Sequence, residues 1–198
     1  SVLEALYSTP AGKNTIVIVL ADHGDGMGSH RMVTKQVSFY EEMTNVPFII
    51  AGPGIHPRQK PVEDLLTQPT IDLLPTLCEL AGIPVPSSKP GISLAPFLKG
   101  EKQKRQHPYA ASEWHSEYEV TVSPGRMIRS PRYKYTHYLE GNGEELYDML
   151  KDKGERRNLA HDPKYSKILA EHRALLDDYI RRTQDDYRSL KVEADKRW

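Results

Sequence analysis

One short stretch, residues 22–42, holds most of the side chains that could do chemistry. It reads DHGDGMGSHRMVTKQVSFYEE. Asp22 offers a hard oxygen ligand and His23 an imidazole nitrogen, and both are common metal ligands in proteins. Lys35 carries a compact positive charge that suits a tetrahedral oxyanion such as sulfate or phosphate. A divalent ion and a lysine together can stabilise the charge on a group that is being transferred.

The stretch begins where a buried strand is predicted to end. Residues 15–20 (TIVIVL) form a short, continuous and β-branched apolar run, which is typical of a strand buried on both faces. Because ligands bind at the carboxyl ends of strands in open α/β sheets, Asp22 and His23 stand at a suitable place. The glycines that follow would let the backbone turn there, so that two neighbouring side chains converge on one ion.

A structural interpretation of the same residues stays open. Taken alone, Asp-His-Gly is a combination of common polar and turn residues. Asp22 could simply cap the segment that follows it, and His30 could be an exposed loop histidine. The pattern alone is therefore compatible both with a metal site and with an ordinary loop.

The sequence on either side predicts an α/β fold. A second apolar run at 46–51 (VPFIIA) matches the first, and residues 35–43 could form a short helix between the two strands. Such doubly buried runs are typical of parallel sheets. Further along, Asp72 is placed to cap a helix that runs to Ala81, with Pro75 in its first turn.

After a connector at residues 83–108 the pattern changes. Residues 126–130 and 132–138 alternate in polarity, which predicts an antiparallel hairpin with one solvated face. Further strands are predicted close to it. They lie at 109–111 and at 145–149. The pair Asp162-Pro163 then predicts the start of a long amphipathic helix.

The composition excludes several classes of function. The 198 residues contain 27 Lys and Arg against 27 Asp and Glu, so the sequence has no basic footprint for nucleic acid and no polybasic membrane signal. No apolar run approaches the length of a bilayer span. Cys78 is the only cysteine, which excludes an internal disulfide. The first residues, SVLEAL, look like the end of a helix already under way, so a longer parent chain is expected.

In their order along the chain, these motifs resemble the sulfatase family of the alkaline-phosphatase superfamily. Each piece is modest, but the ordered set is specific and spans about residues 14–180. The matching pieces are Asp22-His23-Gly24-Asp25, His30, Lys35, Tyr40-Glu41-Glu42, 46–50 (VPFII), 51–55 (AGPGI), 70–77 (TIDLLPTL), 80–84 (LAGIP), 91–94 (GISL), 97–101 (FLKGE), 126–129 (RMIR), 133–135 (YKY), 145–148 (ELYD) and 158–160 (NLA).

The resemblance implies a fold and a division of the chain. Residues 1–107 are expected to be part of an α/β catalytic domain with an alkaline-phosphatase-like, mainly parallel sheet and helices. Residues 108–198 are expected to form a small antiparallel-sheet subdomain with a long C-terminal helix. By the same resemblance the protein would be periplasmic or secreted.

The resemblance also implies roles for individual residues. Asp22 and His23 match two ligands of a divalent metal, which is usually calcium in this family. Lys35 matches the lysine that contacts the sulfate and assists the leaving oxygen, and His30 matches a histidine of the same loop. Calcium prefers oxygen ligands, whereas imidazole is more usual with zinc or manganese. The identity of the metal therefore rests on the resemblance alone.

The nucleophile of the family has no counterpart in this sequence. It is a formylglycine made from Cys or Ser in a Cys/Ser-x-Pro-x-Arg motif. Cys78 is followed by Glu-Leu-Ala-Gly, and after Ser123 and Ser130 the proline comes one position too early. The resemblance implies that an intact enzyme hydrolyses a sulfate ester by attack of the formylglycine hydrate on sulfur. This chain alone is expected to be an inactive C-terminal part that binds the ion weakly.

The substrate and the partners are less well defined. A sulfated sugar or an aryl sulfate is expected as the substrate of the intact enzyme. In residues 112–126, Trp114 and His115 could face a sugar ring or its charged groups, or they could belong to an ordinary surface loop. Self-association could cover the edge of strand 15–20. A phosphonate or phosphodiester hydrolase of the same superfamily and a non-catalytic binding domain stay open as alternatives.

Overall fold

The computed structural model describes residues 1–33, 35, 37–63, 65–87, 90–103, 106–115, 123–139 and 143–189. The chain forms two compact units. The first unit holds residues 1–23 and 46–107, and the second holds residues 24–45 together with the described residues from 108 onward. The 24–45 segment therefore folds with the C-terminal part of the chain and not with its neighbours in sequence.

Helices and strands alternate along the first part of the chain, and four strands and a long helix follow. In chain order they are α1 (Val2–Tyr7), β1 (Val17–Leu20), α2 (Glu41–Thr44), β2 (Phe48–Ala51), α3 (Pro69–Leu80), α4 (Ala95–Leu98), β3 (Ala110–Trp114), β4 (Gly125–Arg129), β5 (Tyr133–Tyr138), β6 (Glu144–Asp148) and α5 (Ser166–Thr183). Within the described residues, no helix has the length and apolar character needed to cross a membrane.

The first unit contains both strands that the apolar runs predicted, but they pair with each other in antiparallel fashion. Val17 of β1 lies opposite Ala51 of β2. The parallel pairing that the runs suggested is therefore wrong for this pair, because an apolar run reports burial and not the direction of the neighbouring strand. The strands are not buried on both faces either, since Val19 and Ile49 are 48% and 58% exposed.

Helix α3 begins earlier than the sequence predicted. It starts at Pro69, where a missing N–H costs nothing, so the expected start at Asp72 is wrong. Asp72 lies inside the first turns, and its carboxylate accepts the backbone N–H of Gln68 at 2.7 Å. Pro75 accordingly lies within the helix rather than in its first turn.

A buried carboxylate ties α3 to the connector that follows it. Asp72 is fully buried. One of its oxygens accepts the backbone N–H of Ile92 at 2.8 Å. His107 donates from Nε2 to both carboxylate oxygens, at 2.8 and 3.0 Å. Because a buried charge is stable only when it is paired and hydrogen-bonded, Asp72 fixes three separate points of the first unit.

The second unit is a four-stranded antiparallel sheet with a long helix on one face. The strand order is β3-β4-β5-β6, so the predicted hairpin of β4 and β5 is confirmed. Asp162 accepts the backbone N–H of Lys164, and α5 follows as predicted. The core between the sheet and α5 consists of apolar side chains. They are Tyr109, Ile128, Tyr135, Leu146, Leu159, Leu169 and Leu176. The predicted fold class is confirmed, since the chain combines strands and helices and ends in an antiparallel subdomain with a long helix.

The opposite face of this sheet is covered and not solvated. Lys134 and Thr136 of β5 are each 1% exposed, so the prediction of a solvated face is wrong. The 24–45 segment lies over them, and the Phe39 ring is 5.9 Å from the Tyr138 ring. The helix predicted at 35–43 is also wrong, since α2 begins only at Glu41. Residue 36 of that prediction lies outside the described residues.

Candidate active site

Asp22 and His23 stand just beyond the end of β1, where the sequence placed them. The backbone N–H of His23 donates to Asp22 Oδ1 at 3.0 Å, and His23 Nε2 lies 3.7 Å from Asp22 Oδ2. The side chain of Asp22 is 88% exposed and that of His23 is 42% exposed. The structure thus brings a carboxylate oxygen and an imidazole nitrogen side by side at an open strand end.

This pair fits a divalent ion in its donor chemistry. Bonds from such ions to oxygen or imidazole nitrogen are about 2.0–2.6 Å long, so two atoms 3.7 Å apart can reach one ion. Within the part of the chain that the structure describes, no group of three or more His, Cys, Asp or Glu side chains could hold a metal. An ion bound by Asp22 and His23 would therefore need further ligands from outside the described residues.

Gly24 begins the 24–45 segment and fixes its start against its end. Its N–H donates to the carbonyl oxygen of Met43 at 2.9 Å. A Cβ atom at this position would lie 1.8 Å from the carbonyl oxygen of Glu42. Only glycine permits this close approach of two stretches of backbone.

His30 is held in a defined position within the second unit. Its backbone is left-handed, with φ 50° and ψ 25°, which is uncommon for a residue other than glycine. The imidazole stacks on the ring of Tyr40 with 3.6 Å between centroids and 2° between planes. Its Nε2 lies 3.9 Å from a carboxylate oxygen of Glu42. Only 17% of the side chain is exposed, so His30 is not an ordinary exposed loop histidine.

The four residues matched to the active site are divided between the two units. Asp22 and His23 belong to the first unit, whereas His30 and Lys35 belong to the second. The side chain of Lys35 is exposed. The sequence predicted that this lysine contacts an anionic ligand, since an ammonium group is a compact positive charge.

Trp114 and His115 lie at the end of β3. Trp114 is half-buried and lies opposite Gly125 of β4, whereas His115 is exposed. The carbonyl oxygen of Trp114 accepts a hydrogen bond from Arg126 Nη1 at 2.8 Å. Arg126 also binds both carboxylate oxygens of Asp185, and this hydrogen bonding holds the pKa of Asp185 below its usual range. Residues 116–122 of the predicted substrate loop lie outside the described residues.

A charge cluster between β5 and the 24–45 segment was not predicted from the sequence. It consists of Lys134, Glu155 and Glu41, and we call it the Lys134 cluster. Lys134 Nζ lies 2.7 Å from Glu41 Oε1 and 2.9 Å from Glu155 Oε1. Burial raises the pKa of Glu155, and the neighbouring Lys134 ammonium partly offsets this. Lys134 stands at an alternating position of a strand, so its sequence pattern is that of a surface lysine.

Comparison with known proteins places these features in a family. Residues 28–182 match the family model described as N-sulphoglucosamine sulphohydrolase, C-terminal. The whole chain is similar to the Delta 4,5-hexuronate-2-O-sulfatase of Bacteroides thetaiotaomicron, with 78% identity over 197 residues and 41% of that protein covered. A solved structure of a 2-O GAG sulfatase has a TM-score of 0.95 and 78% identity, covering 99% of this chain and 42% of that chain.

A more distant likeness is to a different kind of hydrolase. The phosphonate monoester hydrolase from Silicibacter pomeroyi has a TM-score of 0.79 and 27% identity, covering 98% of this chain and 40% of that chain. This chain thus spans about two fifths of the length of the relatives that it matches. The family model covers most of the chain and agrees with the motifs of the 24–45 segment and of the antiparallel sheet. The chain therefore belongs to the sulfatase family, and residues 28–182 are its N-sulphoglucosamine sulphohydrolase C-terminal domain.

Proposed function

We propose that this chain is the C-terminal part of a sulfatase, and that the longer protein removes the 2-O-sulfate of a Δ4,5-unsaturated hexuronate. The observation that carries this proposal is the 78% identity over 197 residues to a Delta 4,5-hexuronate-2-O-sulfatase. A sulfated sugar is also one of the two substrate classes that the family resemblance implied, the other being an aryl sulfate. Residues 1–107 would belong to the catalytic domain and residues 108–198 to the smaller subdomain.

In this proposal Asp22 and His23 hold a divalent metal together with ligands from the rest of the protein. Calcium is the proposed ion, and when bound it would supply positive charge next to the sulfate oxygens. Asp22 and His23 are suited to the task because their side chains are open at the strand end and their donor atoms lie 3.7 Å apart. The nucleophile would be a formylglycine elsewhere in the protein, since no Cys or Ser here stands in the required motif.

Lys35 and His30 would act on the sulfate ester itself. Cleavage of the S–O bond leaves negative charge on the sugar oxygen, and a sugar alkoxide is a poor leaving group without charge stabilisation or a proton. The exposed ammonium of Lys35 can donate a hydrogen bond to that oxygen. His30 has one imidazole face against Tyr40, so its ring edge is left to donate or accept a proton at a defined place.

Trp114 and His115 would contact the sugar. An indole offers a flat apolar surface for a sugar ring, and a protonated or hydrogen-bonding imidazole can bind the hexuronate carboxylate. Arg126 fixes the backbone of Trp114 through its carbonyl oxygen, which gives these side chains a rigid base. This assignment predicts that replacement of His115 raises KM for a carboxylated sugar sulfate more than for an aryl sulfate that has no carboxylate.

Sulfate release from a 2-O-sulfated unsaturated disaccharide by the full-length protein tests the proposed function. Lys35→Met should lower kcat/KM by about 100-fold or more, whereas Lys167→Met, which alters an exposed lysine of α5, should have no effect. His23→Ala should weaken binding of the divalent ion, measured by calorimetry. This chain on its own should show no turnover. Wild-type-like activity of the Lys35→Met protein would refute the assigned role.

Two other functions are separated by the same experiments. The likeness to a phosphonate monoester hydrolase makes phosphonate ester hydrolysis the second candidate. Faster turnover of a phosphonate ester than of the sulfate ester would establish it. A non-catalytic binding domain would instead show no turnover, and its metal binding would be insensitive to His23→Ala.

We also propose that the exposed apolar side chains of β1 and β2 are covered by self-association when this chain is studied alone. Val19, Leu20 and Ile49 are 48%, 42% and 58% exposed. Exposed apolar strands of this kind pair readily with a second copy. Equilibrium sedimentation of the isolated chain should show a dimer or larger species, and a clean monomer would count against this proposal.

A further inference from the structure

The ammonium group of Lys134 has all of its described partners inside the second unit. The side chain is 1% exposed. Its Nζ donates a hydrogen bond to the carbonyl oxygen of Phe39 at 2.9 Å, and it forms ion pairs with Glu41 Oε1 at 2.7 Å and Glu155 Oε1 at 2.9 Å. Two of these three partners belong to the 24–45 segment, so the lysine holds that segment onto β5.

Glu155 completes the attachment from its second carboxylate oxygen. Its Oε2 accepts the backbone N–H of Glu41 at 2.7 Å. Lys134 and Glu155 therefore hold the carbonyl group that precedes Tyr40 and the amide group that follows it. With both flanking peptide groups fixed, the direction in which the Tyr40 side chain leaves the backbone is fixed as well.

Tyr40 transmits this restraint to His30. The two rings are stacked with 3.6 Å between centroids and are parallel to within 2°. The ring of Tyr147, on β6, lies 6.4 Å from the Tyr40 ring and supports it from the sheet. A parallel stack at this distance restricts the plane of the imidazole to that of the Tyr40 ring.

The chemistry of the cluster argues for orientation rather than for stability. Burial of charged groups is costly, and an apolar set of similar volume is often as stable or more stable. An apolar set, however, cannot hold a carbonyl oxygen and an N–H group in fixed directions. Lys134 and Glu155 do so over a very short stretch of the 24–45 segment.

We propose that Lys134 and Glu155 are positioning residues, which orient the His30 imidazole through Tyr40. The inference rests on the proposed function, because His30 is assigned to the reaction there. Lys134 and Glu155 do not touch the substrate in this assignment. Their contribution is the fixed geometry of a residue that does, and small displacements of such a residue can cost about 100-fold in rate.

The first test follows the ring stack by NMR in the full-length protein with 13C-labelled histidine, with the His30 signal assigned by a His30→Gln variant. In the wild type, Tyr40 should shift the His30 ring signals upfield through its ring current. Lys134→Met should move them towards the position of an unstacked histidine. The matched control is Arg132→Met, which removes an ion pair with Asp148 next to the same strand and leaves Lys134, Glu155 and Glu41 unchanged.

The second test measures kinetics with the sulfated disaccharide. Lys134→Met and Glu155→Gln should lower kcat by about 10- to 100-fold and leave KM unchanged. Arg132→Met should alter neither. If Lys134→Met does not fold, Tyr40→Leu removes the stack without touching the buried ions and should give the same loss, whereas Tyr40→Phe should keep the stack and the activity.

The two readouts separate this inference from the proposed function. Unshifted His30 signals in a folded Lys134→Met protein, or in Tyr40→Leu, would overturn the inference whatever the activity. Shifted signals with an unchanged kcat would also overturn it. If the wild-type protein has no sulfatase activity, the proposed function fails, and the NMR comparison alone decides whether Lys134 orients His30 through Tyr40.

Discussion

Replacement of Asp72 by asparagine should destabilise the first unit strongly although it changes a single atom. The two oxygens of the buried carboxylate divide their partners, since Oδ2 accepts the N–H of Gln68 and Oδ1 that of Ile92. His107 donates to both oxygens. Asparagine keeps only one oxygen. Its amide group must then face one of the two backbone N–H donors, whichever way the side chain is turned.

The size of the effect follows from the bonds that are lost. A buried N–H left without an acceptor costs about 1–3 kcal/mol, and hydrogen bonds to a charged group are among the stronger ones. The bond from His107 also loses its charged acceptor, so the total should be about 3–5 kcal/mol, as for other broken buried pairs. This is a large share of the roughly 5–15 kcal/mol that stabilises a typical protein.

Hydrogen exchange of the full-length protein can locate the loss as well as measure it. In Asp72→Asn, either the amide of Gln68 or that of Ile92 should exchange at least about 100-fold faster, since 1.4 kcal/mol corresponds to a factor of ten. Glu79→Gln, which alters an exposed residue of α3, should stay within about 0.5 kcal/mol of the wild type. Unchanged protection of both amides in Asp72→Asn would refute the reasoning.

Three further predictions concern the second unit. Gly24→Ala should lower the thermal unfolding temperature more than Gly28→Ala, because a Cβ at Gly24 meets backbone at 1.8 Å whereas one at Gly28 meets nothing within 4 Å. Hydrogen bonding from Arg173 lowers the pKa of Glu144 from 4.5 to about 2. The contribution of Glu144 to the free energy of unfolding should therefore be complete above pH 4.5 and be lost as the pH falls towards 2. Glu144→Gln should flatten that part of a pH series of unfolding temperatures. Burial lowers the pKa of His172 below 6.5, so the free energy of unfolding should fall as the pH drops below 6.5. An NMR titration that gives His172 a pKa above 6.5 would contradict this prediction.

Local signals predicted the parts of the fold that depend on local chemistry. The hairpin of β4 and β5 follows from alternating polarity around a Ser-Pro turn, and the start of α5 follows from Asp162-Pro163. Errors arose where a distant partner decides the outcome. The helix expected at 35–43 is replaced by extended backbone at Tyr40, because the carbonyl of Phe39 is bound by Lys134 instead of by a later turn of helix.

The candidate site was also predictable only in part. Adjacent residues at a strand end were expected to converge, and Asp22 and His23 do lie side by side. The support of His30 was not predictable, because the sequence placed Tyr40 in a predicted helix and Lys134 at an alternating position of a strand, where a surface lysine is expected. Only the tertiary structure shows that Tyr40 stacks on the histidine and that Lys134 is buried against Phe39 and Glu41.

The residues that hold the 24–45 segment in place come much later in the sequence, and this affects folding during synthesis. Glu41 and Glu155 are 114 residues apart. At the usual synthesis rate of 5–20 residues per second, the segment would wait roughly 6 to 23 s on the ribosome before Glu155 is added. Contacts of such sequence separation also slow folding, because a long loop must close before they form. The stretch that carries His30 is thus made early and ordered late, and in the interval it is open to misfolding and aggregation, against which chaperones protect.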